Sequence, residues 1–221
     1  LSNIGFKRRN GIISVKKGKW IGSCYGMSVA AILTKEGIID PTNLPENEGT
    51  TCLYDIKPND STESLINFYH LQQYTTAATN SSNEFSIKST YEKLKILEER
   101  ASSVSTGGTP VLLSFSGPEC AHSVVAYDVE KNMQGGWLIR PQIGYAPVQY
   151  DSRIVIYDCN HPKKARYLYY NAGTSQWYEP DHKWANKLTS ANNDITTMDA
   201  VNYDNATANA YAQLRFENGT N

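Results

Sequence analysis

The sequence lacks both a charge imbalance and any long apolar segment. Its 21 basic and 22 acidic residues nearly cancel, so the formal net charge of the 221-residue chain is −1 at pH 7. Such a balance gives no global field that favours nucleic acid or a charged membrane surface. No apolar run is long enough to cross a bilayer as a helix. We therefore expect the partners of the chain to include neither nucleic acid nor a membrane that it spans.

Cysteine is also scarce. Four cysteines are too few to form a disulfide scaffold in a chain of this length, and no CxxC pair is present. We therefore expect one or more of the thiols to be reduced, which is compatible with a catalytic cysteine. The cysteines are Cys24, Cys52, Cys120 and Cys159.

The polar residues are mostly uncharged. Charged residues make up only 19 % of the chain, whereas tyrosine, asparagine, serine and threonine are abundant, a composition typical of exported bacterial proteins. The sequence begins at Leu1 rather than at methionine, which is the pattern left when an export signal or an upstream domain is removed. We expect a secreted or cell-surface bacterial protein, with further domains of a longer surface protein among its partners.

Hydrophobic periodicity divides the chain into a helical first half and a second half of strands. Helices followed by an antiparallel sheet make an α+β fold. We predict a single domain, with a helical lobe over about 20–106, a β lobe over about 107–190, and a polar C-terminal edge or linker over 191–221. The predicted helices are 24–35, 61–74 and 89–104, and the predicted strands are 11–15, 110–115, 123–128, 136–140, 153–157, 165–170 and 176–178.

Cys24 is the residue with the clearest chemical meaning. It lies in the small-residue segment Gly22-Ser-Cys24-Tyr-Gly-Met27, where the helical pattern begins. At a helix N-terminus, the unpaired N–H groups and the positive end of the helix dipole favour a thiolate over a thiol. Because the thiolate is the form that attacks carbonyl carbons, this position predicts a nucleophilic enzyme.

A nucleophilic cysteine needs a base, and His122 is the best placed of the four histidines. It opens a predicted strand just after the turn residues Gly117-Pro118. From there its side chain can project off the sheet edge toward a helix N-terminus. His70 lies within a predicted helix among apolar neighbours and is expected to pack there. His182 lies in a polar loop, and we assign it no catalytic role.

Two residues that follow the predicted strand at 153–157 are each able to orient the base. Asp158 and Asn160 have the same parity along the chain, so their side chains are expected on one face. Either accepts a hydrogen bond from an imidazole N–H, and the carboxylate of Asp158 makes the stronger, charge-assisted bond. Asn160 precedes His161-Pro162 and also fits a turn. Both residues are candidates for the third catalytic position.

The order of these residues resembles the papain-like cysteine peptidases. Three stretches are similar to a bacterial branch of that superfamily, related to the double-glycine, bacteriocin-processing peptidases: Gly22 to Met27, Ala121 to Tyr127 and Ile154 to Pro162. The resemblance implies a papain-like fold. In that fold a helical lobe carries the cysteine on its central helix, packed on an antiparallel sheet lobe that carries the other two catalytic residues.

The resemblance also implies a role for each candidate in a cysteine peptidase. Cys24 would be the nucleophile, and His122 would be its base and later the acid for the leaving group. Asp158 or Asn160 would orient the imidazole, and the backbone N–H of Cys24 would contribute to the oxyanion hole. The implied substrate is a peptide or protein, and no cofactor or metal is implied.

The sequence departs from the family pattern at the oxyanion hole. Papain-like enzymes usually place a Gln six residues before the cysteine, where this chain has Gly18, and no Gln occurs before Gln72. Loss of one such donor typically lowers the rate by about 10²–10³. Lys19, Ser23 and Asn10 are candidates for a substitute donor. The departure also favours an alternative, in which the chain is a catalytically weak or inactive papain-like module that binds at a cell surface.

Three further interpretations remain open. Cys120-Ala-His122 and Cys159-Asn-His161 are two Cys-x-His pairs that would supply a tetrahedral zinc site. Alternatively, Cys120 and Cys159 would form a disulfide. Cys159 is also a departure from the family pattern, because the family branch often has proline at this position. A thiol amidase or transpeptidase would share its acyl-enzyme with a peptidase, because these enzymes differ only in the second nucleophile.

Overall fold

A computed structural model describes residues 4–9, 12–17, 23–50, 53–56, 59–74, 76–118, 120–132, 134–140, 146–171 and 173–193. These residues form a mixed fold of α-helices and antiparallel sheet, which confirms the predicted α+β class. Within these ranges, no helix is both long and apolar enough to cross a membrane.

The chain divides into two compact units. The first comprises residues 1–79 and 197–221, and the second comprises residues 80–196. The boundary at residue 79 lies earlier in the chain than the predicted junction of the two lobes, near residue 106. The described elements of the first unit are an antiparallel hairpin of β1 (Ile4–Arg9) and β2 (Ile12–Lys17), helix α1 (Cys24–Lys35), helix α2 (Asp60–Leu71) and the start of helix α3 (Thr76–Ser86).

Helix α1 has the predicted bounds. It ends at Lys35, and Gly37 follows the C-cap residue Glu36 with a φ of +70°, in the left-handed region that favours glycine. The N–H of Ile38 then donates to the carbonyl of Leu33 at 2.9 Å, which satisfies one of the last helical carbonyl groups. The glycine therefore fixes where the helix stops.

Helix α2 begins one residue before the predicted start at 61. Asn59 is its N-cap, because the side-chain oxygen of Asn59 accepts from the N–H of Thr62 at 2.7 Å. The α-helix ends at Leu71 and continues as one 3₁₀ turn to Tyr74, the predicted end. The helix buries an apolar face that includes Leu65 and Phe68.

Helices α1 and α2 are in close contact at Gly26. A β-carbon at this position would lie 2.1 Å from the carbonyl oxygen of Ile66 and 2.8 Å from the backbone nitrogen of His70. Only glycine therefore allows the first turn of α1 to rest against the backbone of α2. Since Cys24 lies two residues earlier in the same turn, this contact also fixes the position of the thiol within the first unit.

His70 makes the stability of the first unit sensitive to acid. Burial lowers the pKa of His70 from 6.5 to about 4, so the folded unit binds fewer protons than the unfolded chain between these values. Stability is therefore complete above about pH 6.5 and falls as the pH drops toward 4, by about 3 kcal/mol in total at 1.36 kcal/mol per pKa unit.

The variant His70→Gln should flatten this pH dependence, because glutamine does not titrate. Urea unfolding of both proteins between pH 7 and 4.5, followed by circular dichroism, measures the difference. An equal fall in the two proteins would show that His70 titrates near its ordinary pKa.

The second unit is built on one antiparallel sheet of six strands. Their order across the sheet is β10-β3-β4-β7-β8-β9, and β5 and β6 form a separate two-stranded ribbon. The elements of this unit are the remainder of α3, then α4 (Thr90–Ser103), β3 (Val111–Ser116), β4 (Ala121–Lys131), β5 (Trp137–Ile139), β6 (Val148–Tyr150), β7 (Ser152–Tyr157), β8 (Arg166–Asn171), β9 (Gln176–Tyr178) and β10 (Lys187–Asn192).

Helix α4 packs on one face of this sheet. Ser89 caps the helix through a reciprocal pair of hydrogen bonds with Glu92, as the sequence pattern Ser-x-x-Glu predicts. Leu94, Leu97 and Ala101 are its buried residues, and they join the inward-facing side chains of the central strands in one core. From the strands this core takes Val111, Leu113, Phe115, Val124, Ala126, Ile154, Ile156, Leu168, Tyr170, Leu188 and Ala191.

Three elements of this part of the chain were not predicted: helix α3 and the strands β6 and β10. Helix α3 has the sequence TAATNSSNEFS, whose Thr, Ser and Asn residues have low helix propensity, yet Ala78 and Phe85 are buried in it. Strand β10 falls across the predicted end of the β lobe at 190, and its sequence KLTSAN carries little strand signal. It forms because β3 offers it an edge to pair with.

Candidate active site

His122 and Asp158 lie at one end of the sheet, on the face that carries the core. His122 is the second residue of β4, and Asp158 directly follows β7, the neighbouring antiparallel strand. His122 shares the parity of the core residue Val124, and Asp158 that of Ile156, so both side chains project from the face that carries the core. The strand pattern therefore brings the two predicted residues together.

The two side chains are directly bonded in a buried environment. The Nε2 atom of His122 lies 2.9 Å from Oδ1 of Asp158, and the two residues are 6 % and 1 % exposed. Because an ionised carboxylate only accepts hydrogen bonds, we assign the proton of this bond to Nε2. A neutral His122 then has Nδ1 as its basic nitrogen.

Asp158 is held in its ionised form. Burial alone would raise the pKa of this carboxyl group. Hydrogen bonds from His122 and from the N–H of Asn160, and electrostatic attraction by His122 and His182, outweigh burial and hold the pKa below its ordinary value. The carboxylate is therefore negative at neutral pH and able to stabilise a protonated His122.

Asn160 occupies the turn that follows β7. Its side chain is exposed, and it is the backbone N–H of Asn160 that donates to Oδ1 of Asp158, at 2.9 Å. The next N–H, that of His161, donates to the carbonyl oxygen of Asp158 at 2.8 Å. Of the two candidates for the orienting residue, the structure thus places Asp158 on the imidazole and Asn160 in the turn.

The site contains a second histidine, His182, which the sequence pattern places in a polar loop without a catalytic role. Its Nδ1 atom lies 2.7 Å from Oε2 of Glu179, and its backbone N–H donates to the same oxygen at 2.5 Å. Its ring stacks on the ring of His122, with 4.3 Å between the centroids and 24° between the planes. The one sequence signal for this arrangement is Glu179-Pro-Asp-His182, in which a carboxylate precedes a histidine at the spacing of a turn.

Aromatic side chains enclose the two histidines. Phe115 lies opposite His122 on β3, and its ring centroid is 5.8 Å from that of His122 and 5.3 Å from that of His182. Trp184 meets His182 edge-on at 5.4 Å. A β-carbon on Gly117 would lie 2.2 Å from the carbonyl oxygen of Trp184, so glycine allows the two loops to meet closely. These apolar walls reduce the solvation of the histidines and strengthen the electrostatic interactions between charged groups of the site.

His122, Asp158 and His182 are also the one group of three among the described residues that could hold a metal ion, with ligand atoms within 4.8 Å of one another. Tetrahedral zinc would require ligand atoms about 3.4 Å apart, at bond lengths near 2.1 Å. The Nε2 atoms of both histidines face Asp158, at 2.9 Å from Oδ1 for His122 and 3.9 Å from Oδ2 for His182. A metal ion bound to Nε2 of His122 would replace the hydrogen bond between His122 and Asp158.

The alternatives built on Cys120 and Cys159 are not supported. Cys120 is an exposed, free thiol, which excludes the disulfide between these two residues. Neither cysteine belongs to the group of possible metal ligands described above, so the two Cys-x-His pairs do not form the proposed zinc site within the described part of the chain.

Cys24 lies in the first unit, as the first residue of α1. It is partly buried, and none of the four residues from Cys24 to Met27 in the first turn is acidic, so no carboxylate there opposes a thiolate. Burial raises the pKa of the adjacent Tyr25 to about 12, so this phenol is uncharged at neutral pH. The candidate oxyanion donors Asn10 and Lys19 lie outside the described residues. The same is true of Gly18, at the usual position of the Gln, and of the fourth cysteine, Cys52.

Comparison with known proteins adds no family name to this geometry. No match to this chain was found among models of protein families, among curated proteins or among solved structures. Its function is therefore inferred from its own residues and their arrangement.

Proposed function

We propose that this chain is a cysteine peptidase of the papain-like type, in which Cys24 attacks peptide bonds. The observation that carries the proposal is the buried hydrogen bond of 2.9 Å between His122 and Asp158. A histidine whose Nε2–H is fixed by a carboxylate is the arrangement that prepares an imidazole to act as a base. The position of Cys24 as the first residue of a helix supports it as the thiol that this base serves.

The reaction would proceed through a thioester. Nδ1 of His122 takes the proton of the Cys24 thiol, and the sulfur attacks the carbonyl carbon of the scissile bond. When the tetrahedral intermediate collapses, the C–N bond breaks and His122 returns the proton to the departing amine. Water then adds to the thioester with His122 again as the base, which releases the carboxylic acid and restores the thiol. Asp158 remains ionised throughout and keeps the proton of the imidazole on Nε2.

The oxyanion hole is the part of the proposed site that lacks an expected hydrogen-bond donor. The backbone N–H of Cys24 is one donor, because the first N–H groups of a helix have no partner within the helix. Ser23 lies beside it, but Gly18 stands where papain-like enzymes usually have a Gln. A test that measures the thiolate itself is therefore more informative than turnover of an arbitrary peptide.

Alkylation by iodoacetamide at about pH 5, with mass-spectrometric mapping of each cysteine, provides this test. At this pH an ordinary thiol is less than about 0.1 % ionised, which slows its alkylation strongly. A stabilised thiolate is intrinsically less nucleophilic, but this loss of rate is smaller than the gain from being ionised. We expect Cys24 to react at least about tenfold faster than Cys52, Cys120 and Cys159. The variants His122→Ala and His122→Gln should both remove this preference.

His161→Gln is the matched control, because it changes a histidine in the adjacent turn whose backbone, not its ring, bonds to Asp158. Circular dichroism confirms that each variant is folded. Equal alkylation of all four cysteines in the wild type would contradict the proposed proton transfer from Cys24 to His122, as would a preference for Cys24 that survives both changes of His122.

A further inference from the structure

We propose that His182 is a positioning residue of this site: held by Glu179, it fixes the ring of His122 and supports the carboxylate of Asp158. The arrangement of these four residues is independent of Cys24. Only its purpose, which is to keep Nδ1 of His122 ready for the thiol, rests on the proposed function.

The first observation is the fixed orientation of the His182 ring. Glu179 is 2 % exposed, and its Oε2 atom receives both the backbone N–H of His182 at 2.5 Å and the contact from Nδ1 at 2.7 Å. Because a carboxylate only accepts, Nδ1 of His182 carries a proton. Two bonds to one buried oxygen leave the ring a single orientation, with Nε2 directed toward the side of Asp158.

The second observation is the stacking of the two imidazoles. The centroids are 4.3 Å apart and the planes are inclined by 24°, so His182 covers one face of the His122 ring. Rotation of His122 about its Cβ–Cγ bond would swing the ring edge into this neighbour. The stack therefore restrains His122 to the plane in which Nε2 meets Asp158 and Nδ1 points away from it.

The third observation concerns the second oxygen of Asp158. Oδ2 is buried and accepts no hydrogen bond from a described residue, and Nε2 of His182 lies 3.9 Å from it. A buried carboxylate oxygen without a donor is costly. His182 places Nε2 on the side of this oxygen while Nδ1–H stays with Glu179, so one imidazole faces two buried carboxylates. His182 is also one of the groups that lower the pKa of Asp158.

The composition of this cluster indicates a function rather than packing. Four ionisable residues are each at most 8 % exposed at the end of a sheet whose other inward side chains are mainly apolar. A buried group of this kind usually contributes less to stability than well-packed apolar residues of similar size. A buried carboxyl group whose pKa is lowered by neighbouring histidines, as that of Asp158 is, is typical of a catalytic site. The residues are His122, Asp158, Glu179 and His182.

The test is a long-range ¹H–¹⁵N spectrum of the histidine rings in the full chain, which reports the tautomer of each imidazole. In the wild type, His182 must carry a proton on Nδ1 and His122 must carry one on Nε2. His182→Phe keeps an aromatic ring on the stack but removes both nitrogens, and Glu179→Gln keeps the volume of the clamp but removes its charge. Lys183→Ala is the matched control, since Lys183 is exposed in the same loop.

We expect both changes, but not Lys183→Ala, to give His122 a mixture of tautomers and faster exchange of its Nε2 proton. Alkylation of Cys24 should slow by roughly tenfold, the low end of losses seen when partners that orient a functional histidine are removed at metal sites. A wild-type His182 without a proton on Nδ1 would overturn the proposal, as would an unchanged His122 spectrum in the folded variants. If the His122 spectrum responds but Cys24 shows no preferential alkylation in any protein, the positioning role stands and the peptidase proposal fails.

Discussion

Asp158→Asn should abolish the preferential alkylation of Cys24 and lower peptide hydrolysis by up to about 10⁴, the loss seen when the same change is made in Ser-His-Asp enzymes. The carboxylate only accepts hydrogen bonds and therefore keeps the proton of His122 on Nε2, 2.9 Å away. An amide is both donor and acceptor and tolerates either tautomer. Half or more of the imidazoles would then hold their proton on Nδ1, where the thiol needs a base.

The matched control is Asn160→Ala, two residues along the same segment. Its exposed side chain is removed, while the backbone N–H that donates to Asp158 remains. We expect alkylation and hydrolysis to stay within about twofold of the wild type, because only the backbone of Asn160 bonds to Asp158. A larger loss in Asn160→Ala than in Asp158→Asn would reverse the assignment of the orienting residue.

The substitution Asp158→Asn should also change the pH dependence of stability. The folded pKa of Asp158 is lowered, so the unfolded chain binds more protons than the folded chain over the interval between the two pKa values. The contribution of Asp158 is therefore complete above its ordinary pKa of about 3.9 and is lost as the pH falls through the lower, folded value. Asp158→Asn should remove this acid-dependent contribution.

The residues that the sequence placed correctly are those whose position depends on local periodicity. Helix α1 follows from apolar spacing and from Gly37, and its first residue is Cys24 as expected. The pairing of His122 with Asp158 follows from two neighbouring strands and from the alternation of side chains along them. A period of 3.6 and a period of 2 are both visible in a single sequence.

The residues that the sequence did not place depend on contacts between distant segments. His182 stacks on a ring 60 positions away in the chain, and it does so because the segment between β9 and β10 folds back over the end of the sheet. That return requires β10, whose polar sequence pairs with β3 only once the sheet exists. No local pattern encodes either step, so the sequence alone predicts an ordinary polar loop around His182.

Gly26→Ala should lower the free energy of unfolding of the first unit by about 3 kcal/mol or more, at the upper end of the usual cost of overpacking. Alanine normally favours a helix over glycine by about 1 kcal/mol, so propensity alone predicts the opposite sign. The added β-carbon would lie 2.1 Å from the carbonyl oxygen of Ile66 and 2.8 Å from the nitrogen of His70. These are backbone atoms of α2, which cannot rotate away, so the helices must separate or α1 must shift.

Met27→Ala is the control, because Met27 is the next residue of the same turn and is exposed. We expect a change within about 0.5 kcal/mol, as for most surface substitutions. Hydrogen exchange of the amides in α1 and α2 measures the local effect directly, even where the two units unfold separately. Since Cys24 shares this turn, Gly26→Ala should also change its alkylation rate. Stabilisation of the helices by alanine would show that α1 and α2 do not meet at Gly26.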